Sequence, residues 1–408
     1  MKSKYNFTVR HYITIVFCFL LALLANASTS DSENVLLPLL AEANGWDYYG
    51  RVLSLVSIAG VVSVFGNLLL GKLCEHIGAK WLLIVCLVGT AGFAFLYGTA
   101  PNYILLLIGL IGTISCGQSI FYLGVNTLVA NWFAQEKGLA MGFITMGPPV
   151  ATIVMVSVLG RITRTYSATA GVYTVVAVLL IVAVLCLLFV REYPDKSTAH
   201  VTGHQTKQPQ SEITLRDLLK SRSLWAIIYC IGACSIAQTG LMAQWLVRYK
   251  GTAFESGAAW MLSACAILGI FGSMLAGTIA HRMGTRKAYC ILVVWFVVAL
   301  ILNFTNLAVP VYISVVMFGL IITLFQIFMP LFVLSAFATD DFKKANAIVF
   351  PISGLIGQLT FVLIAACKQL MGEVRYAYLI YAFLLLSTLL VVRLIRTDGR
   401  NTKQKNEN

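Results

Sequence analysis

The sequence predicts an all-α polytopic membrane protein: twelve transmembrane helices in two pseudo-symmetric six-helix halves. Composition, the length of the apolar runs and an internal repeat carry that prediction. Hydrophobic residues make up 59% of 408 and charged residues 11%, and mean hydropathy is +0.86. Soluble domains average roughly 45–50% apolar and ~25% charged. The apolar runs are long enough to cross a ~30 Å hydrocarbon core at ~20 residues per helix. They are continuous rather than alternating, so they read as helices and not as barrel strands. They place spans 1 to 6 at 12–43, 50–73, 80–99, 102–131, 138–160 and 169–190. Spans 7 to 12 follow at 223–249, 256–280, 287–305, 309–338, 344–367 and 375–395.

Span 1 has two readings. Lys2, Lys4 and Arg10 precede the apolar run Ile13 to Leu24, and Ala25-Asn26-Ala27 follows. Positive head, short apolar core and small-x-small site are the order of a secretory signal peptide. The other reading is a membrane helix that continues through the polar stretch Thr29 to Asn34. The repeat described below favours the helix.

The basic residues set the orientation. With the N-terminus inside, 22 of the 29 lysines and arginines fall in inner loops, the linker and the two termini. Such an excess is what the positive-inside rule requires of cytoplasmic segments. The net charge of +13 thus reflects topology and attraction to an anionic inner leaflet, and gives no reason to expect nucleic acid as a partner.

The loop between spans 2 and 3 reads GKLCEHIGAK, Gly71 to Lys80, and that between spans 8 and 9 reads GTIAHRMGTR, Gly277 to Arg286. Glycine, glycine seven on and a basic residue nine on recur at a constant offset of 206. Gly45 and Gly251 keep that offset, which is close to half the chain. A duplicated six-helix unit follows: residues 1–190 and 223–408, joined by a flexible Gln-, Thr- and Lys-rich cytoplasmic linker at 191–222. Thr29 to Asn34 then maps onto Ser235 to Gly240, a polar interruption at the same depth of span 7. The repeat therefore needs residues 28–43 inside span 1.

These loops resemble the signature of the major facilitator superfamily, Gly-x-Leu-Ala-Asp-Arg-x-Gly-Arg-Arg/Lys. The first copy matches at Gly71, Leu73, Glu75, Gly78 and Lys80, with His76 where arginine is usual. The second keeps Gly277, Ala280, Arg282, Gly284 and Arg286, with His281 in place of the acid. The resemblance implies a cytoplasmic gate: glycines permit a tight turn, and the charges pair with neighbouring helix ends in one conformation and release in another. A second stretch, NWFAQEKGLAMG from Asn131 to Gly142, and the Asn44-Gly45-Trp46 approach to span 2 are similar to the oxalate/formate antiporter and monocarboxylate transporter branch. The resemblance implies a small carboxylate as substrate, a cavity lined by spans 1, 4, 7 and 10, and alternating access driven by protons or a counter-substrate.

Of the sixteen acids only Asp31 and Glu33 fall well inside a span. A charge at the bilayer centre costs at least ~2.5 kcal/mol on insertion scales, so such residues usually line a cavity and bind protons, ions or a substrate group. Two positions apart, they lie about 200° apart around a helix; Asp31 falls beside Ser28 and Asn34, and Glu33 beside Thr29 and Ser30. The competing expectation is that span 1 ends early and both acids are wetted at the outer surface. Gln118, Tyr122, Gln238, Trp245, Gln326 and Gln358 are mid-span polar groups, candidates for substrate contact or for interhelical hydrogen bonds. Span 8 has no basic residue, and Arg51, Arg161, Arg164 and Arg248 sit near outer helix ends as interfacial anchors or attractors of an anion.

Several motifs carry no chemistry. Gly66-x-x-x-x-Gly71-Lys72 imitates a phosphate loop, but Leu73 stands where Ser or Thr is required and no strand precedes it. Gly142 to Pro149 partly resembles the Gly-Pro motif of drug antiporters without its following glycines, and predicts a kink in span 5. The ten cysteines lack metal spacing. The sequence thus predicts no enzyme, metal or cofactor, but a multi-pass transporter of the plasma or bacterial inner membrane with both termini cytoplasmic. The alternatives are a proton-driven exporter of amphiphilic or cationic compounds and, less favoured for want of a signalling domain, a transporter-like solute receptor.

Overall fold

The computed structural model describes residues 9–47, 51–133, 137–193, 215–243, 245–249, 252–337 and 341–395. Among these there is no strand; the structure is helical throughout. Ten helices among the described residues are long and apolar enough to cross a membrane. One of them, α3 (Leu53–Gly98), holds spans 2 and 3 end to end, bent at Gly78. Span 11 is a further helix of 30 residues, Phe342–Met371. The twelve expected spans are therefore all present. Gly251, one of the repeat glycines, lies outside the described residues.

Span 1 is α1 (Val9–Asn26) and α2 (Ser32–Ala43), joined by a π-turn at Ala27–Asp31. Its outer half packs on span 5 and span 6, so residues 28–43 belong to the helix bundle, as the repeat requires. Span 4 is α4 (Tyr103–Ser119) and α5 (Asn126–Trp132), with a second π-turn at Ile120–Val125. Span 5 is α6 (Lys137–Ile144) and α7 (Gly147–Thr165), broken at Thr145–Met146. Pro148 and Pro149 have no N–H to offer the preceding turn, which accounts for the predicted kink. Span 6 is α8 (Ala168–Phe189).

A short helix, α9 (Leu215–Lys220), leads to span 7, formed by α10 (Arg222–Ala243) and α11 (Trp245–Tyr249). Spans 8 and 9 are α12 (Ala258–Met283) and α13 (Thr285–Phe304). Span 10 is α14 (Ala308–Ile321) and α15 (Leu324–Ala336), interrupted at Ile322–Thr323. Spans 11 and 12 are α16 (Phe342–Met371) and α17 (Tyr376–Val391).

The chain forms two compact units, one from residues 9–133 and 147–193, the other from 137–146 and 215–395. Helix α6 thus packs with the second unit, on α12 and α15. Glycine makes this possible. A Cβ on Gly277 would stand 2.4 Å from the Gly138 carbonyl oxygen and 2.6 Å from the Gly142 Cα. The two helices touch backbone to backbone there.

Candidate functional site

The repeated loop is repeated in its backbone. Gly78 has φ +82° and ψ 173°, and Gly284 has φ +83° and ψ 152°. Both adopt a left-handed conformation that side chains rarely tolerate, and both separate consecutive spans. The basic residue two positions on performs the same task in each copy. Lys80 Nζ donates to the Leu187 carbonyl, 2.8 Å, at the end of α8. Arg286 Nη2 donates to the Ile395 carbonyl, just past α17. Each cation thus meets the free carbonyls and negative dipole end of the last span of its own half. Glu75 is half-buried and Arg282 exposed; Gly71 is buried, and the His76 ring Nδ1 lies 2.8 Å from the Lys72 carbonyl.

A residue absent from the sequence reading holds the first copy in place. The Glu192 carboxylate accepts from the backbone N–H groups of Ala79, 2.9 Å, and Lys80, 2.7 Å. It caps the start of span 3 with charge-assisted bonds. Asn131 Nδ2 donates to Glu192 at both its main-chain oxygen, 3.2 Å, and its Oε1, 3.4 Å, and Trp132 Nε1 donates to the Arg191 carbonyl, 3.0 Å. The loop between spans 2 and 3, the end of span 4 and the exit of span 6 are fastened at one point. The sequence held a signal for it: Asp398 stands 206 residues on, so an acid follows the last span of each half. Asp398 itself lies outside the described residues.

The acids of span 1 are both buried, Asp31 at 4% exposure and Glu33 at 8%. The expectation that they are wetted at an early helix end does not hold: the helix runs on to Ala43. Asp31 accepts from Asn26 Nδ2 and from Thr152 Oγ1 of span 5, each at 3.0 Å. Residues five apart share one side of the helix here because the π-turn between them is one residue wider than an α-turn. The hydroxyls of Ser28 and Thr29 bond back to the Ala25 carbonyl, and Ser32 to that of Ala27. That satisfies the carbonyls around the turn and explains its Ser- and Thr-rich sequence. The side chain of Asn34 lies outside what the structure describes.

In span 4, Gly117 brings the helix against Thr29: a Cβ there would stand 2.4 Å from the threonine methyl. Its neighbour Gln118 accepts from Asn67 Nδ2 of span 2, 3.3 Å, and Ser119 donates to Asn67 Oδ1, 3.1 Å. Tyr122 is half-buried in the second π-turn, stacked edge-on against Phe121. Asp31, Thr152, Gln118 and Tyr122 all belong to one compact unit.

In the other unit, Gln238 and Gln358 are half-buried on spans 7 and 11. These spans approach closely beside them, since a Cβ on Gly357 would meet Ser235 Oγ at 2.2 Å. Gln326 stands in the first turn of α15, directly after the break in span 10, and its Oε1 is buried with no hydrogen-bond partner. Span 10 is thus broken beside a buried amide oxygen that no other described group satisfies. Trp245 is fully buried and donates through Nε1 to the Ala258 carbonyl, 2.9 Å. Its hydrogen-bonding capacity is used between spans 7 and 8.

Arg248 is only 5% exposed, so it is no interfacial anchor. Its Nη2 donates to the Asn303 carbonyl, 2.9 Å, and to Asn306 Oδ1, 2.6 Å, with Tyr249 and Tyr378 beneath it at 5.3 and 5.6 Å from their ring centroids. It closes the end of span 9. Arg248→Met is expected to cost about 2 kcal/mol of stability by leaving those acceptors unmet, read as an earlier thermal unfolding midpoint.

The interrupted helices and the paired loops define a polytopic helical bundle of two like halves. The family model described as the Major Facilitator Superfamily matches residues 15–259, more than half of the chain, and the chain belongs to that superfamily. Its fold is similar to that of FucP crystallised in the outward conformation, with TM-score 0.74 and 16% identity over 94% of this chain and 98% of that one. It is also similar to the human organic anion transporter MFSD10, with TM-score 0.70 and 13% identity over 94% and 99% of the two chains. A third likeness is the proton:xylose symporter XylE bound to 6-bromo-6-deoxy-D-glucose, with TM-score 0.71 and 14% identity over 93% and 94%. No curated protein sequence matches the chain. The protein is a multi-pass membrane protein with a transporter's fold, and not an enzyme.

Proposed function

We propose that the protein is a secondary active transporter that moves a small organic anion, a mono- or dicarboxylate, by alternating access with proton symport or exchange. The two halves rock about a site near the midplane, the termini and the 191–222 linker are cytoplasmic, and the Gly71–Lys80 and Gly277–Arg286 loops form the inner gate. One observation carries the coupled part of this reading: Asp31 is buried on an interrupted helix and held by two neutral donors, Asn26 and Thr152. Among the described residues no lysine or arginine forms an ion pair with it. A buried carboxylate so placed is a functional group, since packing alone gives no reason to keep it. The anionic substrate is supported by the Asn131–Gly142 segment.

The test is counterflow in proteoliposomes, with a panel of unlabelled carboxylates and amphiphilic amines inside and labelled compound outside, at two pH values. Exchange of a carboxylate is expected. Asp31→Asn is expected to preserve counterflow while pH-driven accumulation falls to the passive ratio; full accumulation by the variant removes Asp31 from coupling.

A second reading, a proton-driven exporter of amphiphilic or cationic compounds, is favoured by one observation. The buried arginine of the second unit is committed to the end of span 9, whereas the two buried acids of span 1 have no cation among the described residues. Exchange of amines alone selects this reading.

A further inference from the structure

Three spans of the second unit are tied together at one end. Ser223 Oγ, at the start of span 7, donates to the Leu394 carbonyl past span 12, 3.4 Å, and Arg286 of span 9 donates to the neighbouring Ile395 carbonyl. Deeper in, Tyr229 Oη of span 7 lies 2.6 Å from Ser387 Oγ of span 12, and span 12 packs on both span 7 and span 9. A cation stands next to each tie. Arg222 precedes Ser223, Lys287 follows Arg286 and Arg393 precedes Leu394, and all three are exposed. The short helix α9 meets the same corner: its Leu219 carbonyl accepts from Trp225 Nε1, 2.7 Å, and Lys220 beside it is exposed. None of these cations forms an ion pair among the described residues.

Each of the three heads a run of exposed apolar or aromatic side chains at helical spacing. Trp225 and Tyr229 follow Arg222, Ile291 and Val294 follow Lys287, and Leu390 and Leu386 lead up to Arg393. A charged rim above an apolar wall fits an amphiphile with an anionic head, whereas a soluble anion has no use for the wall. Like charges gathered at three joined helix ends also repel one another, and a shared anion relieves this.

The repeat supplies a control within the same chain. The positions 206 residues before Arg222, Lys287 and Arg393 are Val16, Trp81 and Leu187, which are exposed too. The tie itself is kept there, since Lys80 reaches the Leu187 carbonyl as Arg286 reaches Ile395. Joining the helix ends therefore does not require the three extra charges. The positive-inside rule asks for cations on this side of the membrane and is indifferent to which half holds them. Their gathering at one corner calls for another reason.

We propose that this corner holds an anionic phospholipid of the inner leaflet. Arg222, Lys287 and Arg393 surround its phosphodiester, Trp225 stands at headgroup level, and the acyl chains run along the exposed faces of the three spans. The lipid fastens spans 7, 9 and 12 at their inner ends. The proposal rests on the transport reading above only for which leaflet this is.

Native mass spectrometry of the purified full chain in detergent, offered phosphatidylglycerol and phosphatidylcholine in equal amounts, tests this. Retention of phosphatidylglycerol is expected, and it falls as salt rises. At a factor of about five for each cation removed, the Arg222→Gln/Lys287→Gln/Arg393→Gln variant should bind it about a hundredfold more weakly. Arg51→Gln/Arg161→Gln/Arg164→Gln removes the same charge from exposed positions of the first unit and should bind as the wild type does. Equal binding by the two triple variants overturns the site, as does equal retention of phosphatidylcholine. If the first variant does not fold, Lys287→Gln decides, by weakening binding about fivefold or leaving it unchanged. Inorganic phosphate that raises the thermal unfolding midpoint as far as phosphatidylglycerol does assigns the cations to a free anion and overturns the lipid. Binding in detergent depends on neither orientation nor transport, and counterflow reports on the transport reading separately, so that each can fail alone.

Discussion

Gly277→Ala is expected to cut counterflow by about tenfold to a hundredfold while the protein still inserts and folds. The added carbon would meet the Gly138 carbonyl oxygen at 2.4 Å and the Gly142 Cα at 2.6 Å. Both are backbone atoms on the far side of a helix contact, so no rotamer change relieves the clash. Helices α6 and α12 must separate, at about 1–3 kcal/mol for an overpacked interface. Where transport depends on reaching this arrangement in every cycle, its population falls tenfold for each ~1.4 kcal/mol. The comparison is Gly92→Ala, also within a helix, whose added carbon meets nothing within 4 Å. Counterflow of Gly277→Ala at the wild-type rate, with Gly92→Ala indistinguishable from it, would remove the α6–α12 contact from the cycle.

Glu192→Ala is the second large effect. Two backbone N–H groups at the start of span 3 and the Asn131 amide lose a shared acceptor. Hydrogen bonds to a charged group are worth ~1.5–3 kcal/mol each when buried. Glu192 is half-exposed, which leaves a net loss of about 2 kcal/mol for the cluster. The thermal midpoint should fall, and limited proteolysis should cut the Gly71–Lys80 loop faster. Glu192→Gln is expected to recover part of this, since the amide oxygen accepts one N–H but its nitrogen opposes the other. If the alanine variant melts with the wild type and resists protease equally, the clasp has no mechanical role.

The spans were legible because hydrophobic length is a one-dimensional property of the chain. The Gly78 and Gly284 turns were legible for the same reason: a residue type at a fixed offset is visible without any contact. What escaped were pairings between distant positions. Thr152 is 121 residues from Asp31, and Glu192 is 113 from Ala79; nothing local announces either. Asn26 escaped for a different reason. Ideal helical spacing places it well round the helix from Asp31, and only the π-turn brings the two together. Arg248 shows the limit of position along a span as a guide. It stands near a helix end in sequence, yet neighbouring helix ends and two tyrosine rings bury it.

The matching dihedrals of Gly78 and Gly284 bear on the history of the chain. A left-handed turn, a basic residue two positions later and a carbonyl at the end of the sixth helix form one mechanical part, present twice. A part that works within each half can predate the doubling of the gene and survive it unchanged. The acids of span 1 have no acidic counterparts in the second copy, where Asp31 aligns with Ala237 and Glu33 with Thr239. The turn is thus common to both halves, whereas the buried acids belong to one half alone.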